Sequence, residues 1–533
     1  MNDSPWWRGA VIYQIYPRSF FDTNADGTGD LKGITAKLEY VASLGVDGVW
    51  LSPFFPSPMK DFGYDISDYR SVEPTFGTLA DFDKLLRRAH SLGLKVIIDQ
   101  VYSHSSNEHP WFIESAASRV GPKADWYVWA DAKPDGSPPN NWQSIFGGPA
   151  WTWSALRRQY YLHNFLSEQP DLDLHSPAVQ AEILDIARFW LDCGVDGFRL
   201  DVATCYTHDR DLRDNPQADY SSAPSQPYFF QRHIYDKQRP ETLPFIGSIR
   251  ALTDAYPGRM MVGEVGGEDE LAVQIEYTDG PTRLHTAYSF FLLKSDRAEP
   301  KLFADAMIPW NGCRSWPSWS LGNHDVMRFP TRLGGANPPP EQVNALLAAI
   351  FCMRGTIFLY QGEELGLPQA HVPFHQLRDP HARRTYTGGS GRDGARTPFP
   401  WSDVAPMAGF TRGSEAWLPV DPAHLPLAVA RQEEDPGSHL NISRRLIALR
   451  SRFPSLRVGD VEILDGGDSV LALIRTEGTE RILCAINLDA KPASFSRAHL
   501  GQATLLESGL VCARSGDRLD LPSFGGVLAL LSR

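Results

Sequence analysis

An α/β fold built as a parallel (β/α)8 TIM barrel, with an inserted subdomain after the third strand and a C-terminal antiparallel β-domain, is what this 533-residue sequence predicts. Three observations point there. Short β-rich apolar runs alternate with helical stretches through most of the chain, the pattern of parallel strands joined by crossover helices. One gap between such runs is far too long for a single helix. Near residue 457 the alternation gives way to closely spaced short strands that continue to Leu531.

The candidate barrel strands are, in order, 11–16, 46–51, 94–101, 195–202, 259–265, 285–290, 319–323 and 356–360. Between them the helical pattern is plain in places, as at 79–91, which begins beside Thr78 and stops at Gly93. Roughly 95 residues separate the third strand from the fourth, against roughly 30 for a βα unit. That stretch, rich in Trp, Pro, Gly and Asn as in Pro138-Pro139-Asn140-Asn141-Trp142, reads as a subdomain over the barrel mouth. The expected division is therefore a barrel from 1–102 and 171–456, an inserted subdomain at 103–170 and a β-domain at 457–533. A second long excursion, 365–430, follows the last strand, on the face where such barrels carry their sites.

Charge excludes some partners. Lys and Arg total 51 against 64 for Asp and Glu, a net charge of −13 that disfavours nucleic acid and anionic membranes. The six Cys form no Cys-x-x-Cys pair and have no His-rich spacing that would suggest zinc. The N-terminus has no basic stretch leading into an apolar one, and no run of apolar residues is long enough to span a bilayer. A cytoplasmic monomer or homodimer acting on small molecules is the expectation.

Chemistry is signalled at strand ends. Gly197-Phe198-Arg199-Leu200-Asp201 drives an apolar strand into an Arg and then an acid, and the period of two puts Arg199 and Asp201 on one face. Glu264 ends a second such run after Met260-Met261-Val262-Gly263, and Asp325 a third after Ser320-Leu321-Gly322-Asn323-His324. Any one of these acids is as readily a helix cap. Three in runs of the same shape, beside Arg199 and His324, argue for one site. Acetal cleavage needs one acid to protonate the leaving oxygen and a carboxylate opposite it. Arg199 should keep Asp201 ionised, while the apolar strand before Glu264 should raise its pKa, so Asp201 reads as nucleophile and Glu264 as acid/base. Asp325 would hold sugar hydroxyls.

These segments resemble glycoside hydrolase family 13, the α-amylase superfamily, from end to end. The matching motifs are Asp99-Gln100-Val101-Tyr102-Ser103-His104, Gly197 to Asp201, Gly263-Glu264-Val265 and Leu321-Gly322-Asn323-His324-Asp325, in the family's order. The segment 11–20, Gln169-Pro170-Asp171-Leu172-Asp173 and the loop 391–398 are most similar to the exo-acting α-glucosidase and oligo-1,6-glucosidase branch. The resemblance implies the same barrel with the same insertion and tail. It implies that Asp201, Glu264 and Asp325 are catalytic and that His104, His324, Tyr64 and Asp61 bind glucose. It further implies that Arg392 pairs with Asp61 to close the pocket, with Phe146 and Phe165 as apolar walls. For those two aromatics ordinary core packing is an equal alternative.

The chain departs from the pattern in places. Ser103 stands where many amylases have Asn, which speaks against their typical calcium site, and Asp173 stands where oligo-1,6-glucosidases have Asn. Val202 occurs in enzymes accepting α-1,6 links or sucrose, where strict α-1,4 enzymes often have Thr, so linkage stays open. A different metal signal is Asp22-Thr23-Asn24-Ala25-Asp26-Gly27-Thr28-Gly29-Asp30, whose oxygens at Asp22, Asn24, Asp26, Thr28 and Asp30 alternate as in a calcium loop. Gly33 at the twelfth position excludes an EF-hand, and a polar turn held by Asx bonds is the alternative. A structural Ca2+ or Mg2+ remote from the chemistry is preferred. The expected function is a retaining exo-α-glucosidase that releases α-glucose from the non-reducing end of short α-glucosides such as maltose or sucrose, passing glucose to water or to hydroxyl acceptors. A sucrose isomerase or trehalose synthase on the same scaffold is the alternative within enzymes, and a non-catalytic sugar-binding protein the alternative outside them.

Overall fold

The computed structural model describes residues 4–219, 226–384, 389–404, 406–498 and 500–532. Eight parallel strands carry the fold: β1 Val11–Ile15, β2 Gly48–Leu51, β3 Lys95–Gln100, β4 Gly197–Leu200, β5 Met260–Glu264, β6 Thr286–Tyr288, β7 Ser318–Trp319 and β8 Thr356–Tyr360. They form one sheet in the order β7-β8-β1-β2-β3-β4-β5-β6. Its two edges meet at a single backbone bridge, Ala287 to Pro317. Side chains complete that seam: Thr286 Oγ1 and Ser318 Oγ bond each other at 2.8 Å, and Gln274 Nε2 donates to the carbonyls of Ala287 (2.6 Å) and Ser318 (3.2 Å). The barrel is thus closed, by backbone ladders everywhere except at β6 and β7.

Alternation along the strands stacks the interior in layers. Ile12, Trp50, Ile97, Val262 and Phe358 pack together in a buried apolar cluster. Two residues further along the same strand faces stand Gln14, Asp99 and Glu264, so the period of two converts an apolar floor into a polar layer. Gly197 begins β4 because a Cβ there would lie 2.3 Å from the Met260 carbonyl oxygen, and its strand face continues into Arg199. Helices cover the outside. Leu79–Ser91 is capped by Thr78, whose side chain accepts from Asp81 N, as its sequence suggests. The helix His439–Arg452 is likewise capped, by Ser438, whose side chain accepts from Asn441 N.

The seventh strand is shorter than its sequence implies, ending at Trp319 instead of 323. Its remaining polar groups are taken locally. Ser320 Oγ donates to the Gly322 carbonyl at 2.5 Å and Arg332 donates to the Leu321 carbonyl, which leaves 320–325 free of the ladder and able to turn over the barrel mouth.

Within 103–170 lie the helix Pro110–Ala117 and an antiparallel sheet of Trp129–Ala130, Gln159–Leu162 and Trp151–Ser154. The C-terminal portion holds a five-stranded antiparallel sheet and a three-stranded one. Of two fully buried arginines, Arg475 ties it to the barrel, and Arg450 fastens the helix before it to the barrel. Arg475 donates to the carbonyls of Cys352 (2.8 Å), Leu456 (3.0 Å), Gly459 (2.8 Å) and Asp460 (3.3 Å). Arg450 donates to those of Gly9 (3.1 Å), Phe351 (2.7 Å), Met353 (3.0 Å) and Gly355. Burial pushes Arg450 down to about 9 and Arg475 to about 10. Among the described residues no helix is long and apolar enough to cross a membrane.

Candidate active site

At the C-terminal ends of the strands, one guanidinium gathers the strand-end acids. Arg199 is fully buried; its Nη1 donates to Asp201 Oδ1 (2.5 Å) and Asp99 Oδ1 (2.8 Å), and its Nη2 to Glu264 Oε2 (2.5 Å) and Tyr288 Oη (2.8 Å). Adjacent strands β3, β4 and β5 deliver these groups in register, Asp99 opposite Arg199 and Arg199 opposite Val262. The sequence assigned Arg199 to Asp201 alone. In the structure it serves three carboxylates, because the strand on each side also ends in an acid on the inner face.

Burial dominates the titration of that group. It pushes Glu264 up to about 8, with Arg199 opposing and Asp201 and Asp325 adding to the rise. The expected elevation of Glu264 therefore holds, though from burial among acids and not from an apolar strand alone. Burial likewise pushes Asp201 up to about 7 against Arg199, so shared by three acids the cation does not hold Asp201 at an ordinary carboxylate value. Asp325 differs. Burial raises it, but His324, Arg396 and Arg392 together hold it well below the usual carboxylate range.

Asp325 sits in a second network. Arg396 Nη2 (2.7 Å) and Arg392 Nη1 (3.2 Å) both donate to its Oδ1. Arg392 Nη2 also donates to Asp61 Oδ1 and to Asp379 Oδ1, each at 2.7 Å, so the pairing of Arg392 with Asp61 is present. The Arg392 guanidinium lies 4.8 Å from the centre of the Phe146 ring, which in turn meets Phe165 edge-on at 5.5 Å. His324 Nδ1 faces Gln14 Nε2 at 2.9 Å, and its Nε2 faces Tyr64 Oη at 2.6 Å. With the Gln14 amide donating, the ring carries its proton on Nε2 and donates it to Tyr64, which donates on to Asp99 Oδ2 at 3.1 Å. Burial lowers His324 to about 3, so the imidazole is neutral.

His104 is set by the residue at which the first motif departs from the amylase pattern. Ser103 Oγ is 2.9 Å from His104 Nδ1 and the Tyr64 carbonyl is 3.0 Å from Nε2, which makes Nε2 the protonated nitrogen. Burial lowers this ring to about 4.

The sequence-predicted residues converge. Asp61, Tyr64, His104, Phe146, Phe165, Asp201, Glu264, Asp325 and Arg392 all line one cavity of about 320 Å3, with Arg199 and His324 fully buried beneath it. Val202 lines it too, held at φ +34, a left-handed conformation costly for a β-branched side chain. Its N–H donates to Glu264 Oε2 at 3.2 Å, linking the residue after Asp201 to the second acid. Sequence reasoning missed Tyr288, Gln14, Gln169, Asp379 and Arg396. Arg396 was visible in the loop 391–398, four residues after Arg392, whereas Asp379 carries no local signal.

The loop 22–30 lies elsewhere and is closed on itself. Asp22 accepts from the N–H groups of Asn24, Ala25 and Gly27 and from Thr411, Asn24 accepts from Asp26 N, and Asp26 accepts from Thr28 N. Asp30 caps the helix Leu31–Ser43 through Gly33 N and holds Thr23. The residue types suit a hard cation, but among the described residues no group of three or more acidic, His or Cys side chains is arranged to hold one. The Asx bonds of the alternative reading are present in the loop.

Comparison with known proteins gives the family. The alpha amylase catalytic domain family matches residues 14–459. The probable alpha-glucosidase of Rhizobium meliloti (strain 1021) is 47% identical over 99% of this chain and 98% of its own. The oligo-1,6-glucosidase of Parageobacillus thermoglucosidasius is 37% identical over 92% of each. The crystal structure of the alpha-glucosyl transfer enzyme XgtA superposes with a TM-score of 0.95 at 49% identity, covering 99% of this chain and 100% of that one. The chain belongs to the α-amylase family, glycoside hydrolase family 13, and is an enzyme acting as a glycosidase.

Proposed function

We propose that this α-amylase family member is a retaining exo-α-glucosidase, releasing α-glucose from the non-reducing end of short α-glucosides such as maltose or sucrose. The observation that carries the reading is the Arg392 network. A guanidinium bound to Asp61, Asp379 and Asp325 and resting on Phe146 walls off one end of the cavity, leaving room for one terminal glucose. Asp61, Tyr64, His104 and Asp325 would hold its hydroxyls, and Arg199 would orient the reacting acids from below.

Retention is supported by the fork of Arg199. Asp201 and Glu264 occupy its two amino groups, and that span suits the roughly 5 Å carboxyl separation of retaining enzymes better than the wider gap needed to seat a water between them. Asp201, held through Oδ1, would attack the anomeric carbon with Oδ2, while Glu264 protonates the departing oxygen. Glu264 then removes a proton from water, or from another hydroxyl compound, as that oxygen attacks the β-glucosyl ester. The likeness to a glucosyl transfer enzyme supports the second outcome. A cation at Asp22, Asn24, Asp26, Thr28 and Asp30 would be structural, and no step uses it.

The test is a product profile on maltose, isomaltose, sucrose and trehalose, following the anomer first released. Release of α-glucose, abolished in Asp201→Asn, is expected. First release of β-glucose overturns retention, isomerised disaccharide without glucose gives the site to an isomerase, and no turnover gives it to a binding protein.

A further inference from the structure

The same cavity is lined by two further groups of residues, Thr204, Cys205 and Lys237, and Glu270, Phe290 and Lys294. The two lysines are not equivalent. Lys294 Nζ is paired with Glu270 at 2.8 Å, and its side chain is largely in solvent. Lys237 is half-buried, and among the described residues no carboxylate lies within ion-pair distance of it. Its hydrogen bond goes to a neutral group, Tyr228 Oη, at 2.7 Å.

Lys237 is firmly placed. The next residue, Gln238, donates its N–H to the Thr204 carbonyl at 2.6 Å, three residues on from Asp201. Tyr228 is stacked on His233 with ring centres 3.7 Å apart, and His233 bonds the Tyr228 carbonyl (2.8 Å) and Asp236 Oδ2 (2.6 Å). Asp236, the nearest acid in sequence, is thus engaged by His233. Burial alone would lower the Lys237 ammonium, but Tyr228, Cys205 and Asp236 raise it above its ordinary value, so it stays charged. An ammonium has three donors, and among the described residues only one is used. A charge taken out of water without an ion pair is costly unless a ligand completes it.

We propose that Lys237 is a specificity-determining residue of the leaving-group side of the cavity, and that it selects aglycones and acceptors carrying a carboxylate. This rests on the glucosidase reading above. One free cation with two remaining N–H groups matches a monoanion; a phosphate dianion would need a second cation, and Lys294 is already neutralised. The preference would act on substrate binding more than on turnover, because Lys237 contacts the part of the substrate that does not change charge at the reacting carbon.

The probes are 4-carboxyphenyl and 4-carbamoylphenyl α-glucosides, nearly isosteric and differing in charge. The wild-type enzyme is expected to favour the carboxylate at least tenfold in kcat/KM, mainly through KM, with the ratio falling as salt is raised. Lys237→Met should bring the ratio to about one and Lys237→Arg should keep it, while Lys301→Met, a change at an exposed helix, should leave it at the wild-type value. Turnover of the amide with a wild-type ratio near one, or a preference that survives Lys237→Met, overturns the inference alone. Failure of the wild-type enzyme to cleave either glucoside overturns the glucosidase reading and this inference with it. The wild-type ratio and its salt dependence decide the matter even if Lys237→Met does not fold.

Discussion

Arg199 and Arg475 are both fully buried, yet the first is ringed by acids at the barrel mouth and the second by backbone carbonyls where the barrel meets the C-terminal sheet. Arg475 satisfies groups that cannot move and cannot titrate, so its contribution is to stability. Arg199 sits among carboxyl groups whose proton affinity it lowers against the effect of burial, so its contribution is to the charge of each acid. The same side chain, equally desolvated, is a fastener in one place and a regulator of proton affinity in the other. The partners decide which.

Replacing Glu264 by Gln should give the largest separation of the two regions. Hydrolysis of an aryl α-glucoside should fall by about 10³-fold or more, while the protein gains stability at alkaline pH. The folded pKa of Glu264, about 8, lies above its unfolded value, so the ionised folded state is penalised and stability is lost as pH rises between the two. Gln removes that penalty, and Tm measured at pH 8.5 against pH 5 should show the gain at the higher pH. A fall in Tm at both would mean that Glu264 supports the fold. The same values set the activity profile: kcat/KM should rise as Asp201 ionises near pH 7 and fall as Glu264 loses its proton near pH 8. A profile flat from pH 5 to 9 would break the assignment.

At the other region Arg475→Met should cost about 3 kcal/mol by denaturant unfolding, since it strands several buried carbonyls. Its kcat/KM per folded molecule should stay within about twofold. Arg392→Lys sharpens the contrast within the site. A single ammonium cannot span Asp61, Asp379 and Asp325, so kcat/KM for maltose should fall by about 10- to 100-fold, mostly through KM. The smallest effect belongs to the loop 22–30. After EDTA treatment, added Ca2+ or Mg2+ should raise Tm by about 1–2 °C with kcat unchanged if a cation reorganises the Asx turns. No shift would leave the loop as the self-bonded turn it is here.

The acids were legible because each ends a strand whose apolar alternation makes an inward-facing carboxylate conspicuous, and the barrel was legible from the same alternation. Asp379 was not, because its role arises from the folding of an irregular excursion onto Arg392 and no period marks it. The sharing of Arg199 was also hidden: Asp99, Arg199 and Glu264 were each visible, but only strand register shows that they meet. The shortened seventh strand was hidden because no period marks the side chains that take up its carbonyls, Ser320 from within the segment and Arg332 from the helix after it.

The seam between β6 and β7, held by one backbone bridge and a few hydroxyl and amide side chains, sets the order in which the molecule fails on heating. Asp325 is six residues beyond the end of β7. A parting there displaces the third carboxylate while the remaining ladders stay paired. Catalysis should therefore disappear at a lower temperature than helical ellipticity, with the amides of 286–288 and 318–319 the first of the barrel to exchange with deuterium.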